Sequence, residues 1–358
     1  MTIFSIVLII LFFGLLIAVH EFGHFIAAKI MGVRVNEFSI GMGPAIISRE
    51  KGETLYSLRV FPVGGFCAME GEEESSDDPR SFHNKPFWKK LIILVAGAFM
   101  NFVTGLVIIL VLLFLVGSPA APVFTGVMEG AEAVLDTGLQ PGDQFYTIDG
   151  HRIYFQSDAM IYLQRAGEQV EVTVLRDGEK VDLGEIYLPY RQLTDETGAQ
   201  VEKRGIYVGQ YLEDTVATRL QNTWYQAIDY VRMVWMGLGD IFTGAVGLRD
   251  MSGVIGIVAM AGDVGQAGAE AAGMFGAVVN LLDFTALIAI NLAVMNLLPI
   301  PALDGGQIFL LIVNGIYHLF SKKYIDQKYL GYVNMVGFIC LIALMILVAI
   351  SDVNKYIL

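Results

Sequence analysis

Charge is what this sequence has least of. Only 16% of its 358 residues are Asp, Glu, Lys or Arg, where soluble domains carry about 25%. Hydrophobic residues make up 55%, above the roughly 45–50% of soluble domains, so the chain reads as a membrane protein. Cysteine is nearly absent as well. Cys67 and Cys340 stand far apart and in no CxxC arrangement, which argues against a disulfide framework or a cysteine zinc site and leaves two free, packed thiols. MTIFSIVLII is not expected to be a removable signal peptide, since it has no basic n-region and no small-residue cleavage site follows a short apolar core. The first apolar stretch is therefore expected to stay as the first span.

Four apolar segments reach the ~20 residues that cross a bilayer: about 4–30, 91–117, 277–298 and 331–350. A polar insert separates the second from the third. Residues 118–283 hold 23 Asp and Glu against 10 Lys and Arg, so the insert carries the whole net charge of −13. The loop over 29–90 carries nine Lys and Arg, and 321–330 adds Lys322, Lys323 and Lys328. The positive-inside tendency puts those two loops in the cytoplasm, with both chain ends and the acidic insert outside. Nucleic acid is not expected as a partner.

Within the first apolar segment stands LIAVHEFGHFIAAK, residues 16–29. On a helix His20 and His24 project from one face, with Glu21 beside them. This is the HExxH arrangement, in which two imidazoles bind zinc and the glutamate acts as general base. A pair of packed histidines is the plainer alternative, but a glutamate in hydrocarbon is costly and usually functional. A catalytic zinc takes three protein ligands and keeps one position open. Ala27 and Ile30 occupy the glycine and histidine positions of a metzincin continuation, and Pro44 stands where a thermolysin-like glutamate would follow. The third ligand must come from another segment.

NLLPIPALDGG, residues 296–306, is the best donor. Pro299 and Pro301 interrupt the third apolar segment, and broken backbone at membrane depth is tolerated where it is buried or lines a wet cavity. Asp304 sits at that break, where it could also cap the following helix. His20 and His24 lie near the end of the first span, and Asp304 near the end of the third, so the ligands reach one depth toward the cytoplasmic leaflet.

HEFGH in a first span together with NLLPIPALDGG in a later one resembles the site-2 protease family of intramembrane zinc metalloproteases, in its bacterial RseP type, here with a single PDZ domain. The resemblance covers nearly the whole chain. GMGPAIISREKGETLYSLRVFPVGGF resembles the family's membrane-associated hairpin, DPRSFHNKPFWKK its segment before the second span, and GAFMN its GPxxN, with Ala98 in place of the proline. It implies an enzyme with Zn2+ on His20, His24 and Asp304, and Glu21 as the catalytic residue. Gly64 and Gly65 at the hairpin, with Asn296, Pro299 and Pro301 at the break, would meet substrate. Substrates would be transmembrane proteins or peptides, such as anti-sigma factors or signal-peptide remnants, already shortened by another protease. The implied location is the bacterial inner membrane.

The expected fold is a polytopic α-helical membrane protein with about four spans, the third broken, a membrane-associated β-hairpin and an extracytoplasmic PDZ-like domain. TLYSLRVFPVGGF reads as a strand ended by Gly64 and Gly65. EGEEESSDDPR, residues 70–80, reads as a solvated loop, HNKPFWKK as an interfacial anchor, and His83 and His151 as surface residues. In the insert, FTGVM, QFYTI, VEVTVL and GEIYLP alternate with turns around one helix near 158–165, and GLQPGDQFYTIDGHRI resembles the family's circularly permuted PDZ. TRLQNTWYQAIDYVRMVWMGLGDIF has the spacing of an amphipathic surface helix. The expected division is 1–122, 123–212, 213–276 and 277–358. A membrane scaffold with a PDZ domain and a structural zinc would need a fourth protein ligand, and no further Cys or His stands near either motif. A transporter would show internal repeats, and none is seen.

Overall fold

The computed structural model describes residues 3–72, 77–194, 200–247 and 251–356. Glu73, Glu74, Ser75 and Ser76 of the acidic run, and Leu248, Arg249 and Asp250 of the glycine-rich stretch after 247, lie outside the described residues. The chain divides into two compact units, one made of Met1–Leu112 with Tyr230–Leu358 and the other of Leu113–Asp229.

The first unit is built on long apolar helices. Helix α1 (Ile3–Met31) is followed by strands β1 (Val35–Lys51) and β2 (Thr54–Met69), then by α2 (Phe87–Val116). Among the described residues four helices have the length and hydropathy to cross a membrane, over Ile10–Met31, Phe87–Val116, Ile255–Asn296 and Lys328–Lys355. This makes the chain a multi-pass membrane protein with β-sheet regions.

The hairpin is more folded than its sequence suggests. β1 and β2 pair antiparallel through Val35↔Met69 and Lys51↔Thr54, but Glu37 through Ile40 also pair with Leu55 through Leu58. The inner part of β1 thus lies between the two halves of β2. Gly64 and Gly65 do not end the strand as expected; the backbone turns at Gly64 (φ 94°) and β2 resumes to Met69. Arg59 holds this fold-back: its guanidinium donates to the Gly43 carbonyl at 2.7 Å and to Glu37 at 2.6 Å. The distal half exposes Met42, Ile46, Ile47, Val60 and Phe61.

Helix α5 (Val254–Asn296) holds a feature the spacing did not reveal. Ala272 and Gly273 leave helical geometry, Gly273 at φ 60°, and the helix folds back on itself there. Asn280 Nδ2 then donates to the Val264 carbonyl at 3.2 Å across the two limbs. Ala261 of the first limb and Leu281 of the second pack against Phe12 and Phe13 of α1. Residues 254–271 are therefore part of the helical core of this unit, in a stretch whose glycines gave no periodic signal. Asp283, a carboxylate inside the span, accepts a 2.6 Å hydrogen bond from the Tyr230 hydroxyl.

The second unit is a six-stranded antiparallel sheet with one helix. Strands β3 (Ala121–Val127), β4 (Gln144–Ile148), β5 (His151–Arg152), β6 (Gln169–Arg176) and β7 (Glu179–Tyr187) surround α3 (Gln156–Arg165). β8 (Arg191–Thr194) and β9 (Gln200–Lys203) make a separate hairpin, and β10 (Ile206–Gln210) returns to the edge, giving the order β10-β3-β4-β6-β7 with β5 beside β4. Alternating apolar residues supply the core, with Phe124, Phe145, Ile148, Val170, Val172 and Val174 fully buried. Helix α4 (Val216–Thr243) follows β10 in the chain; Thr223, Ala227, Tyr230 and Val234 form its buried stripe while Trp224 and Trp235 are exposed, as its amphipathic spacing requires.

Helices α6 (Asp304–Ser321) and α7 (Gln327–Tyr356) complete the first unit. α7 is anchored by Asp352, 1% exposed, whose carboxylate accepts from the Gly253 and Gly256 amides at 3.1 and 2.9 Å and so caps the start of α5. Asp352→Ala is expected to cost about 1–2 kcal/mol, the value of a lost N-cap. Thermal unfolding in detergent should shift down by about 2–4 °C for each kcal/mol, and Asp352→Asn, which keeps an acceptor, should lose less. An unchanged midpoint for Asp352→Ala would show that the cap contributes nothing.

Candidate metal centre

The metal-binding candidates converge from two helices. His20 and His24 lie one turn apart on α1, 9% and 7% exposed, and Asp304 is the first residue of α6. His20 Nε2 and His24 Nε2 are 3.2 Å apart, and Asp304 Oδ2 lies 3.2 Å from the first and 3.3 Å from the second. Ligand atoms held 2.0–2.1 Å from a tetrahedral zinc stand about 3.3–3.4 Å from one another. The three atoms therefore have the spacing of three corners of a zinc shell. Asp304 Oδ2 is also buried, with the two imidazole nitrogens as its neighbours and no other donor, an environment that suits a metal between the three. Among the described residues this is the only such cluster, and no fourth side chain joins it, so one corner stays open.

The far side of each imidazole is held as a ligand's should be. His24 Nδ1–H donates to the Ile93 carbonyl of α2 at 2.8 Å, which leaves the Nε2 lone pair free. His20 Nδ1 faces two carboxamides, Asn101 and Asn296, each at 3.4 Å. Both contacts are made by the Nδ2 atoms; with Nε2 given to a metal, Nδ1 would carry the proton and one carboxamide would turn its oxygen to accept it. Asn101 Oδ1, buried and without a donor, is the natural acceptor. Asn101 is the site residue that the candidate list missed; its signal was present in GAFMN, but spacing could not show that its amide reaches His20. Asn296, expected to meet substrate, has its carboxamide 3.4 Å from His20 Nδ1 at the edge of the metal cluster.

Close backbone contact makes this convergence possible. A Cβ on Gly97 would lie 2.3 Å from His24 Nε2 and 2.7 Å from His20 Cε1, so α2 can back the imidazoles only with hydrogen at that position. The segment after α5 is just as tight. Ala302 has φ 76°, strained for a residue with a side chain, and the chain reverses so that Cβ atoms on Gly305 and Gly306 would strike the Leu298 and Ile300 carbonyls, each at 2.2 Å. Both glycines of LDGG thus let α6 start directly against the 297–300 backbone, aiming Asp304 at the histidines. Leu303, not Asp304, is the N-cap, and no side-chain cap bond forms, so the capping role is not seen. Pro299 and Pro301 lie in this reversal; Pro301 packs against Gly337 of α7, where a Cβ would sit 2.1 Å from it.

Glu21 is half-buried next to the cluster and accepts a hydrogen bond from the Cys67 backbone amide. A Cβ on Gly65 would come 3.5 Å from Glu21 Cγ, which places this part of β2 beside the carboxylate. Gly64 lies one residue further, under the Met42 side chain. His83 and His151 are exposed, and His318 stacks on Tyr324 at 4.0 Å. Cys67 and Cys340 are free.

A buried His-His-Asp set with an open corner and an adjacent glutamate, in a bundle of membrane-spanning helices, defines an intramembrane zinc metalloprotease. The profile of peptidase family M50 matches residues 8–344, and the chain belongs to that family, the site-2 proteases. A protein of Clostridium perfringens named as a zinc metalloprotease is 36% identical over 97% of this chain and 98% of its own length. A Clostridium acetobutylicum protein named likewise is 33% identical over 99% and 98%. The regulator of sigma-W protease RasP of Bacillus subtilis is 26% identical over 98% of both chains.

Gly97→Ala tests the packing behind the imidazoles. The added methyl must displace His20 or His24, so zinc measured by mass spectrometry on the purified protein is expected to fall from about one per chain to a small fraction of that. Full zinc content in this variant would show that the two helices separate without disturbing the site.

Proposed function

We propose that His20, His24 and Asp304 hold the zinc and that Glu21 is the general base, for hydrolysis of peptide bonds within or near the transmembrane segments of membrane proteins. The observation that carries this is the triangle of ligand atoms at 3.2–3.3 Å beside Glu21. Bound zinc supplies Lewis acidity, polarising the scissile carbonyl and lowering the pKa of water. Glu21 removes a proton from the attacking water as its oxygen joins the carbonyl carbon. It returns that proton to the nitrogen as the C–N bond breaks. The Cys67 amide keeps its carboxylate turned to the site, and His24 is fixed by Ile93.

The reading extends to the substrate. A scissile bond must leave its helix before water can reach the carbonyl, and the β2 segment at Gly64 and Gly65 lies beside Glu21, where an extended chain can pair with it. Asn296, within reach of His20 and at the mouth of the Pro299–Pro301 reversal, is placed to pair with that unwound backbone. The name of the Bacillus subtilis relative points to control of a sigma factor, which supports an anti-sigma factor or a comparable membrane protein as substrate. The apolar distal hairpin is read as lying in the bilayer. Lysines at 322, 323 and 328 support an active site toward the cytoplasmic leaflet of the bacterial cell membrane, with the acidic insert outside.

The second unit is read as a PDZ-like filter that keeps bulky outer domains from the site, so that only a partner shortened by another protease is cleaved. Ala121 and Gln210 are paired neighbours on adjacent strands, so excision of residues 124–210 leaves ends that a short linker can join. The excised enzyme should cleave intact and pre-shortened versions of one substrate alike. If the unit recruits a new C-terminus instead, excision will slow cleavage of the shortened form and leave the intact form resistant.

Glu21→Gln keeps the shape of the side chain but removes its proton acceptor. Zinc should remain at about one per chain while kcat falls by roughly 10²–10⁴. Near-normal turnover would leave Glu21 a structural role only.

A further inference from the structure

The first unit contains a second polar cluster, distinct from the metal ligands. Between the start of α2, the length of α6 and the first half of α7 is a cavity of about 520 Å³. It is bounded by three helices and by the segment before α2, and its polar lining is three carboxamides, Gln307, Asn314 and Asn334, with Glu72, His83 and the ammonium of Lys90. Lys90 is half-buried, and among the described residues its ammonium meets no carboxylate, its contact being the Phe82 ring with the centroid at 5.9 Å. Asn334 Oδ1 is buried without a donor. Asn314 Oδ1 is already engaged, by the Ile325 amide at 2.8 Å.

The cavity shares its walls with the metal centre. Gln307 is three residues beyond Asp304 on α6, and its amide closes on the Leu303 carbonyl at 3.1 Å. Leu94 of the α2 wall follows Ile93, the residue that holds His24. Residues next to the metal centre on α2 and α6 thus line a space that holds the Lys90 ammonium and carboxamides able both to donate and to accept.

We propose that this cavity receives the half of the cleaved peptide that carries the new carboxylate, with Lys90 taking the carboxylate and the carboxamides pairing with the last residues of its backbone. This rests on the hydrolytic reading above. Each turnover adds water across one C–N bond and yields one amine and one carboxylic acid, which ionises. A carboxylate formed among apolar helices is costly to leave unpaired, and an ammonium is its strongest partner. An extended peptide also offers the N–H that Asn334 Oδ1 lacks, which a fatty acid or a phosphodiester does not. Glu72 lines the cavity too, so the carboxylate belongs at the α2 wall beside Lys90 rather than next to Glu72.

The test uses the full chain in detergent, with zinc removed by a chelator so that the metal's own affinity for carboxylates plays no part. A fluorescent apolar pentapeptide with a free C-terminus is compared with its C-terminal amide by polarisation. The free acid should bind about tenfold tighter, the scale of one charge-assisted hydrogen bond. That preference should shrink to about twofold or less in Lys90→Gln and largely survive in Lys90→Arg, which also shows that the site remains folded. Equal binding of acid and amide to the unaltered protein, or a preference that persists in Lys90→Gln, would overturn the proposal. So would displacement of both peptides alike by phosphatidylglycerol micelles in the unaltered protein but not in Lys90→Gln, which would assign the cavity to a lipid phosphate. Hydrolysis of fresh substrate by zinc-loaded enzyme is followed alongside. Its absence removes the function and the product site together, whereas hydrolysis without an acid preference removes the product site alone.

Discussion

Three ligand atoms of like polarity are drawn to within 3.2–3.3 Å of one another inside an apolar bundle, and much of the rest of the first unit can be understood as what allows that. Two imidazole nitrogens and a carboxylate oxygen gain little from each other at that spacing without a cation between them. Holding them there requires backbones that approach more closely than side chains normally permit. Hence hydrogen at Gly97 behind the imidazoles, and at Gly305 and Gly306 where α6 meets the 297–300 segment. Gly23, between the two histidines, serves the same end: a Cβ there would fall 2.4 Å from the Ala96 carbonyl. Small residues at helix crossings are the usual means by which membrane helices pack, since lipid supplies no hydrophobic force to press them together.

The polar groups that remain in the first unit are disposed by the same economy. Asp352 is consumed by the open amides at the start of α5, Asp283 by the Tyr230 hydroxyl, and Arg59 by Glu37 and the Gly43 carbonyl. Each of these groups would be expensive to bury alone, and each ties together segments distant in the chain. β2 returns beside Glu21 through the pairing of Gly65–Met69 with Ile40–Val35. Asp304 Oδ2 at the metal centre and Asn334 Oδ1 in the cavity beside it are buried without a donor, which suits a partner from outside the chain.

Much of the chemistry was legible in the linear sequence because it is local. His20, Glu21 and His24 share a helix face by periodicity alone, and Asp304 was found because two prolines announce a broken helix at membrane depth. The strands of the second unit could be read from their alternation, and α4 from its stripe. Other features were not legible. The reversal at Ala272–Gly273 lies in a run of small residues that carries no period. The return of β2 past Gly64 depends on pairing with β1, which a strand-and-turn pattern does not encode. Asn101 and Asn296 stand 81 and 276 residues from His20, and only the packing of α2 and α5 on α1 brings their amides to its ring.

By itself the sequence determined that the chain crosses a membrane, and it pointed to an HExxH pattern in one span as a candidate zinc site and to a candidate third ligand at a distant break. These follow from hydrophobicity and from 3.6-residue periodicity, which need no knowledge of neighbours. Tertiary structure decided that the three ligands meet with a corner left open, which amides and carbonyls orient the imidazoles, and that a lysine-bearing cavity lies beside them. Contacts of this kind depend on how closely helices approach, and that is set by side chains on both partners at once.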